Sequence, residues 1–507
     1  MRPWWQDGVI YQIYPRSYAD SNADGIGDLE GIRSKLDHLE WLGVDGLWLN
    51  PINPSPNKDW GYDVSDYRDV HPDLGDMATL ERLVEEAGER GIRVLLDIVP
   101  NHSSDRHPWF ADSRSSRDAR YRDWYVWADG KEGGPPNNWQ SVFGGPTWTF
   151  EEATGQWYLH NFLPEQPDLN WWTNEVWEAF DDILRFWFDR GIAGFRIDVA
   201  HGIVNDKELR DDPPDPEAAG RLNSVYSMNR PETHDVFKRW RRICEDYDPP
   251  RLLVGETHVL DPVVMASYYG NGDELQLAFN FACVYAPFEA DPLRRIIEQT
   301  EAAIPEGGWP VWTLSNHDVV RFPTRWAKGD PARIRCALFV LLLLRGTSVL
   351  YYGDEIGLEQ QEVPKEREVD FAGQRDGART PMRWSAEPGH GFSEDGVEPW
   401  LPFGSGPDVA SQRDDPGSVL RLTRDLLAAR RERDELRSGS YTSLPAPDGV
   451  WAWQRGDGHV VAINLGGSEA TVELTGTIVV GSKRERDGER VESGLTVGAS
   501  EAVLLET

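Results

Sequence analysis

The chain has 507 residues, 39% of them hydrophobic and 27% charged, and a formal net charge of −34. That length can bury a large core and suggests about two to four domains. The acidic balance argues against nucleic acid or an anionic membrane as partner, since both call for a cationic surface.

Three cysteines, Cys244, Cys283 and Cys336, lie scattered in apolar patterns and read as buried free thiols without a disulfide framework or metal spacing. The first residues, Met1 to Asp7, lack an apolar signal core, and the longest apolar run, Ala337 to Leu344, is too short to span a bilayer. A cytoplasmic location is the expectation. The 23 tryptophans exceed what packing alone usually demands. Flat aromatic faces suit the C–H faces of sugars, although large barrels also bury many aromatics.

In chain order, Val9–Tyr14, Gly46–Asn50 and Val94–Val99 read as strands, each a short apolar run bounded by turn residues. Leu80, Leu83, Val84 and Ala87 form one helix face between the second and third, closed by Gly91. Strand, helix and strand at this spacing make a βαβ unit and a parallel sheet. Residues 103–171, rich in Trp, Gly, Pro, Asn and Ser, break the pattern and read as an inserted subdomain.

The alternation resumes with a helix over Val176–Trp187 and strands at Gly194–Asp198 and Leu252–Glu256. Further strands at Leu275–Phe281, Val311–Asp318 and Ser348–Gly353 bring the count to eight. Residues 202–232 form an extra loop, and Val236, Phe237, Trp240, Ile243 and Cys244 mark the helix after it. A second insertion covers about residues 357–405, and short β-type runs begin near residue 440. The expected fold is α/β: a (β/α)8 TIM barrel over residues 1–102 and 172–435, the insert at 103–171 after strand 3, and a C-terminal antiparallel β-sandwich domain at 436–507.

Three of these runs end on acids: Asp198, Glu256 and Asp318. In a parallel barrel, strand C-termini open on one face, so the three can converge there. Glycosidic bonds break between carboxylates through an oxocarbenium-like transition state, one ionised to attack and one protonated for the leaving oxygen. Arg196, on the same side of its strand as Asp198, is expected to keep that acid ionised. Glu256 follows an apolar strand, where desolvation favours the protonated form.

Asp97-Ile98-Val99-Pro100-Asn101-His102, Gly194 to Asp198, Glu256 with its preceding strand, and Ser315-Asn316-His317-Asp318 occur in this order, each at an expected strand end. With these four motifs the chain resembles the α-amylase family of glycoside hydrolases, family 13, along essentially its whole length. The resemblance implies Asp198 as nucleophile, Glu256 as general acid/base and Asp318 as the carboxylate that stabilises the distorted sugar. It implies sugar hydroxyl contacts from Asp97, His102, Arg196 and His317. It also implies retention of configuration, with the two catalytic carboxyls about 5 Å apart.

Gln166-Pro167-Asp168-Leu169-Asn170 resembles the motif that marks the oligo-1,6-glucosidase group. Asp59-Trp60-Gly61-Tyr62-Asp63 is similar to the loop lining the innermost sugar subsite, with Tyr62 stacking on the ring and Asp59 holding hydroxyls. Arg379 resembles the arginine that pairs with this Asp59 and closes the pocket, Arg375 being the less favoured candidate. A closed pocket implies an exo-acting α-glucosidase on small α-glucosides. A transglucosylase, or a sucrose- or trehalose-converting relative, would carry the same triad. A non-catalytic barrel of the transporter heavy-chain type is disfavoured, because this chain has neither a membrane helix nor degraded motifs. Val199 matches the α-1,6 pattern, while Ala200-His201 departs from it, so linkage stays open.

Asp20-Ser21-Asn22-Ala23-Asp24-Gly25-Ile26-Gly27-Asp28 sets oxygen donors on alternate residues around a Gly turn. Such donors suit Ca²⁺, although the twelfth position, Gly31, lacks the Glu of an EF-hand. The resemblance implies a structural calcium held by Asp20, Asn22, Asp24, Asp28 and the Ile26 carbonyl. No organic cofactor is expected, and the oligomeric state is not legible.

Overall fold

In the computed structural model, which describes residues 2–216, 221–371 and 375–507, eight parallel strands close into a barrel. They are β1 (Val9–Ile13), β2 (Gly46–Leu49), β3 (Arg93–Ile98), β4 (Gly194–Ile197), β5 (Leu252–Gly255), β6 (Leu277–Ala278), β7 (Val311–Thr313) and β8 (Thr347–Tyr351). The spatial order is β7-β8-β1-β2-β3-β4-β5-β6, and a single parallel bridge between Phe279 and Val311 closes the ring. All eight expected strands are present, shorter at their C-terminal ends, where the polar residues turn out into loops.

The period-2 alternation of a strand divides these residues between two cores. Ile10, Trp48, Leu95, Leu252, Val254, Leu277, Val311 and Val349 fill the barrel interior. Their neighbours Val9, Tyr11, Leu47, Val94, Leu96, Phe195 and Leu253 face the helices. The helix Met77–Glu89 starts on Asp76, whose carboxylate accepts from the Thr79 amide, and buries Leu80, Leu83 and Ala87. Gly91 follows it at φ +75°, a conformation that favours glycine. The helix Asn174–Phe188 and the helix Thr233–Glu245 bury the expected apolar stripes.

The segment between β3 and β4 carries its own three-stranded antiparallel sheet, from Trp127–Ala128, Trp148–Glu151 and Gln156–Leu159. Val126, Trp139, Trp148 and Leu159 form its small core. A short helix, Pro108–Ser113, precedes the sheet where the sequence shows little helical period. The C-terminal region is antiparallel, with a six-stranded sheet facing the strand pair Ala470–Val472 and Leu495–Val497 across a shared apolar core. The three cysteines are buried and unbridged. Among the described residues no helix is long and apolar enough to cross a membrane.

Candidate active site

The site is built where the strands of the barrel end. Register places Asp97 of β3 beside Arg196 of β4, and Ile197 beside Gly255 of β5. The next residues, Asp198 and Glu256, are therefore neighbours on one rim: the Asp198 amide donates to Ile98 O at 2.9 Å and the Glu256 amide to Ile197 O at 2.9 Å. Asp318 arrives from the end of β7, where Asn316 accepts from its amide at 2.8 Å.

One guanidinium serves three carboxylates. Arg196 reaches Asp97 at 3.1 Å and Asp198 at 2.9 Å through Nη1, and Glu256 at 2.7 Å through Nη2. Sharing weakens its hold on each. Burial pushes the Asp198 carboxyl well up, against Arg196, with Glu256 and Asp97 adding to the rise. Asp97 is pushed up to about 6, first by burial. Arg196 lowers the Asp198 carboxyl, as its place on the same strand suggests, while burial acts in the opposite sense and is the larger effect. Asp318 behaves in the opposite way. Burial opposes its charge, but His317, Arg375 and Arg379 outweigh burial and hold it below the ordinary carboxylate range.

The two histidines differ in what they face. His317 is fully buried, and its Nδ1 lies 3.0 Å from Gln12 Nε2 and 3.1 Å from Asn50 Nδ2, both amide donors. With Nδ1 accepting, the network assigns the proton of the neutral ring to Nε2, which lies 2.6 Å from Tyr62 Oη and 3.1 Å from Asp318 Oδ2. Tyr62 in turn donates to Asp97 at 2.9 Å. His102 is pushed down to about 3 by burial. Its Nδ1 lies 2.8 Å from Asn101 Oδ1, and its Nε2 lies 3.0 Å from the Gln166 amide nitrogen and 3.2 Å from the Tyr62 carbonyl oxygen.

A cavity of about 530 Å³ sits over these groups, lined by Asp59, Tyr62, His102, Asp198, Glu256, Asp318 and Arg375 on its polar side. Val142, Phe143, Phe162, Val199, Met228 and Val259 supply its apolar wall, and His201, Asn223, Ser224, Asn229 and His258 complete the lining. Asp97, Arg196, His317 and Arg379 do not line that cavity; they are buried behind its wall, where Arg196 Nε and Arg379 Nη1 have no hydrogen-bond partner.

The inner end is closed by a pairing other than the expected one. Asp59 Oδ1 meets Arg375 Nη2 at 2.7 Å, and Arg375 also meets Asp370 at 2.5 Å and Asp318 at 3.4 Å. Arg379 does not pair with Asp59: its Nη2 holds Asp318 at 2.9 Å and its Nε donates to His317 O at 2.8 Å. The Asp59 loop is fixed from below. Asp63 collects the Ser55 hydroxyl at 2.7 Å, the Lys58 amide at 2.9 Å and the Asp59 amide at 3.0 Å. Trp60 (φ +50°) and Gly61 (φ +109°) make the turn between them. Gln166, from the insert, donates to Asp59 Oδ2 at 3.2 Å.

Val199 carries a feature absent from any sequence pattern. It is a β-branched residue at φ 44° and ψ 45°, in the left-handed region, directly after Asp198. That conformation aims its backbone amide at Glu256 Oε2, 3.0 Å away. Gln12 and Asn50 join the site although no motif names them. The available signal was polarity within strands that are otherwise fully buried, Val9–Ile13 and the end of β2.

The Asp20–Asp28 loop folds as a chain of side-chain turns. Asp20 Oδ1 accepts from the Asn22 and Ala23 amides, Asn22 Oδ1 from Asp24 and Asp24 Oδ1 from Ile26. Asp28 accepts from Ser21 and caps the helix Leu29–Ser34 through the Gly31 amide. The all-oxygen donor set fits a hard cation. Among the described residues no three His, Cys, Asp or Glu side chains form a group that could hold a metal ion.

The α-amylase catalytic-domain family (Alpha amylase, catalytic domain) matches residues 12–439. A probable alpha-glucosidase of Rhizobium meliloti is 40% identical over 93% of this chain and 91% of its own length. An oligo-1,6-glucosidase of Parageobacillus thermoglucosidasius is 36% identical over 88% of this chain and 87% of its own. Among solved structures, the alpha-glucosyl transfer enzyme XgtA superposes with a TM-score of 0.93 at 39% identity, covering 100% of this chain and 99% of that one. The trehalulose synthase MutB from Pseudomonas mesoacidophila superposes with a TM-score of 0.92 at 32% identity, with both chains fully covered.

Proposed function

Since the chain belongs to the α-amylase catalytic-domain family and is a glycoside hydrolase of glucosidase type, we propose that it is a retaining, exo-acting α-glucosidase. Its substrates are short oligosaccharides with a terminal α-glucosyl unit. One observation carries the reading. Asp198 and Glu256 flank the same guanidinium, over a cavity whose inner end is shut by Asp59 and Arg375.

In the proposed reaction, the Asp198 carboxylate attacks the anomeric carbon while Glu256 gives its proton to the departing glycosidic oxygen. The C–O bond to the leaving sugar breaks as the glucosyl ester to Asp198 forms. Glu256, now ionised, takes a proton from water, whose oxygen attacks the anomeric carbon and frees Asp198. Asp198 attacks in its ionised form, with the Arg196 guanidinium 2.9 Å away as the cation beside it. Asp318, kept charged by Arg375 and Arg379, faces the positive charge that develops on the ring.

A sugar hydroxyl in place of water would turn hydrolysis into glucosyl transfer. The apolar side of the cavity and the likeness to an α-glucosyl transfer enzyme support that second reading. Product analysis on maltose, isomaltose, sucrose and trehalose, followed over time with the anomer read at early points, tests both. Release of β-glucose first would overturn retention. The Asp20–Asp28 loop is proposed to hold one structural Ca²⁺ through Asp20, Asn22, Asp24, Asp28 and the Ile26 carbonyl.

A further inference from the structure

A second cavity, of about 420 Å³, opens where the insert meets the loop after β4 and shares no lining residue with the catalytic one. Its most exposed apolar wall is Trp172, 39% accessible. This ring is pinned, not loose: Nε1 donates to Asn205 O at 3.0 Å and the Trp172 amide donates to Asn170 Oδ1 at 3.2 Å. The Lys207 ammonium lies 5.3 Å from the centre of the same ring. Arg122 lines the same cavity, its guanidinium 3.6 Å from the Trp127 ring centre and tied to Ser113 O at 2.9 Å and Gln156 at 2.5 Å.

We propose that this cavity is a second, non-catalytic binding site for a neutral sugar of one or two rings. An ordered, half-exposed indole supplies an apolar platform for C–H faces. Around it lie donors and acceptors of both signs: Arg122, Lys207, Asn170 and Asp123. The mixed charge argues against an anionic or cationic ligand and for a polyhydroxylated one, and the volume falls within the range of small-molecule sites. The sugar class rests on the glucosidase reading above. Asn170 and Trp172 directly follow the segment that delivers Gln166 to Asp59, so a sugar held here sits on the same insert that frames the catalytic cavity.

The experiment uses the full-length Asp198→Ala variant titrated with maltose by calorimetry, with hydrogen exchange on the same samples. Two sites are expected, with maltose-dependent protection of residues 168–173 and 204–209. Adding Trp172→Ala should remove one site and leave affinity at the other within about two-fold, as expected for separate sites; Trp172→Phe should retain both. A single site in Asp198→Ala, without protection of 204–209, would overturn the proposal. So would two sites persisting in a folded Trp172→Ala double variant. If Trp172→Ala does not fold, the exchange result on Asp198→Ala alone decides. Turnover of maltose and isomaltose by the unaltered protein tests the glucosidase reading separately, since binding at this cavity requires no catalysis.

Discussion

The backbone amide of Val199 donates to Glu256 Oε2 at 3.0 Å, and Val199 adopts a left-handed conformation to do so. A β-branched residue there costs on the order of 1–3 kcal/mol. Strain placed between the two central carboxylates is spent on fixing the orientation of Glu256.

This strain reverses an ordinary ranking. In most positions glycine is less stable than alanine by about 0.5–1 kcal/mol. At 199, glycine removes the left-handed penalty that alanine keeps. Val199→Gly should therefore be at least as stable as Val199→Ala in denaturant unfolding, although both lose the packing of the buried valine. Alanine clearly ahead of glycine would refute the strain.

Asp198→Ala should lower turnover by about 10⁴-fold or more while leaving the melting temperature near that of the parent. Wild-type-like activity in that variant would remove Asp198 from the nucleophile's role.

Arg375 closes the inner end of the pocket on Asp59, so Arg375→Ala leaves two buried carboxylates, Asp59 and Asp370, without their cation. Breaking a buried pair on one side costs about 3–5 kcal/mol, and a loss of roughly 10²–10³-fold in kcat/KM on maltose is expected. In the parent protein, starch should be a poor substrate beside maltose. Random internal cleavage of starch would show that the pocket is open at that end.

Much of this site can be read from the chain, for a physical reason. A parallel strand buried on both faces is an apolar run, and a charged residue at its end stands out, as Asp198, Glu256 and Asp318 do. The choice of Arg375 over Arg379 cannot be read the same way. Both lie in an irregular, charge-rich stretch where no period indicates direction, and only the folded path brings Arg375 to Asp59. The left-handed backbone at Val199 is not legible either, since nothing in a valine signals it. The sharing of Arg196 among three acids depends on strand register, which neighbouring sequence does not specify.

Asp168 gives the clearest dependence on pH. It is buried, and burial pushes its carboxyl up to about 8 against the Asn161 and Asn101 donors. An acid whose folded value is raised keeps a proton that the unfolded chain releases near pH ~4. Stability is therefore lost as pH rises from about 4 to about 8, by an order of a few kcal/mol. Asp168→Asn should flatten that limb in unfolding measured across the range. An unchanged slope would show that Asp168 is ionised in the fold.

For the Asp20–Asp28 loop, removal of calcium by a chelator should lower the melting temperature by a few degrees, since a ligand at about 100-fold its Kd contributes ~2.7 kcal/mol. Asp24→Ala should abolish the shift. The absence of both bound calcium and any shift would leave a loop held by its own side-chain turns.

The barrel ring is closed between β6 and β7 by one bridge, Phe279 to Val311, and β6 is only two residues long. Every other seam of the ring is a ladder of at least two paired residues. The half from β1 round to β4 is joined by ladders of four paired residues at each seam. The seam with the fewest backbone hydrogen bonds therefore lies beside the short helix Phe281–Tyr285, which follows β6. Amide exchange should enter the barrel there first, so that one cylinder behaves as a stiff cup with a soft lip.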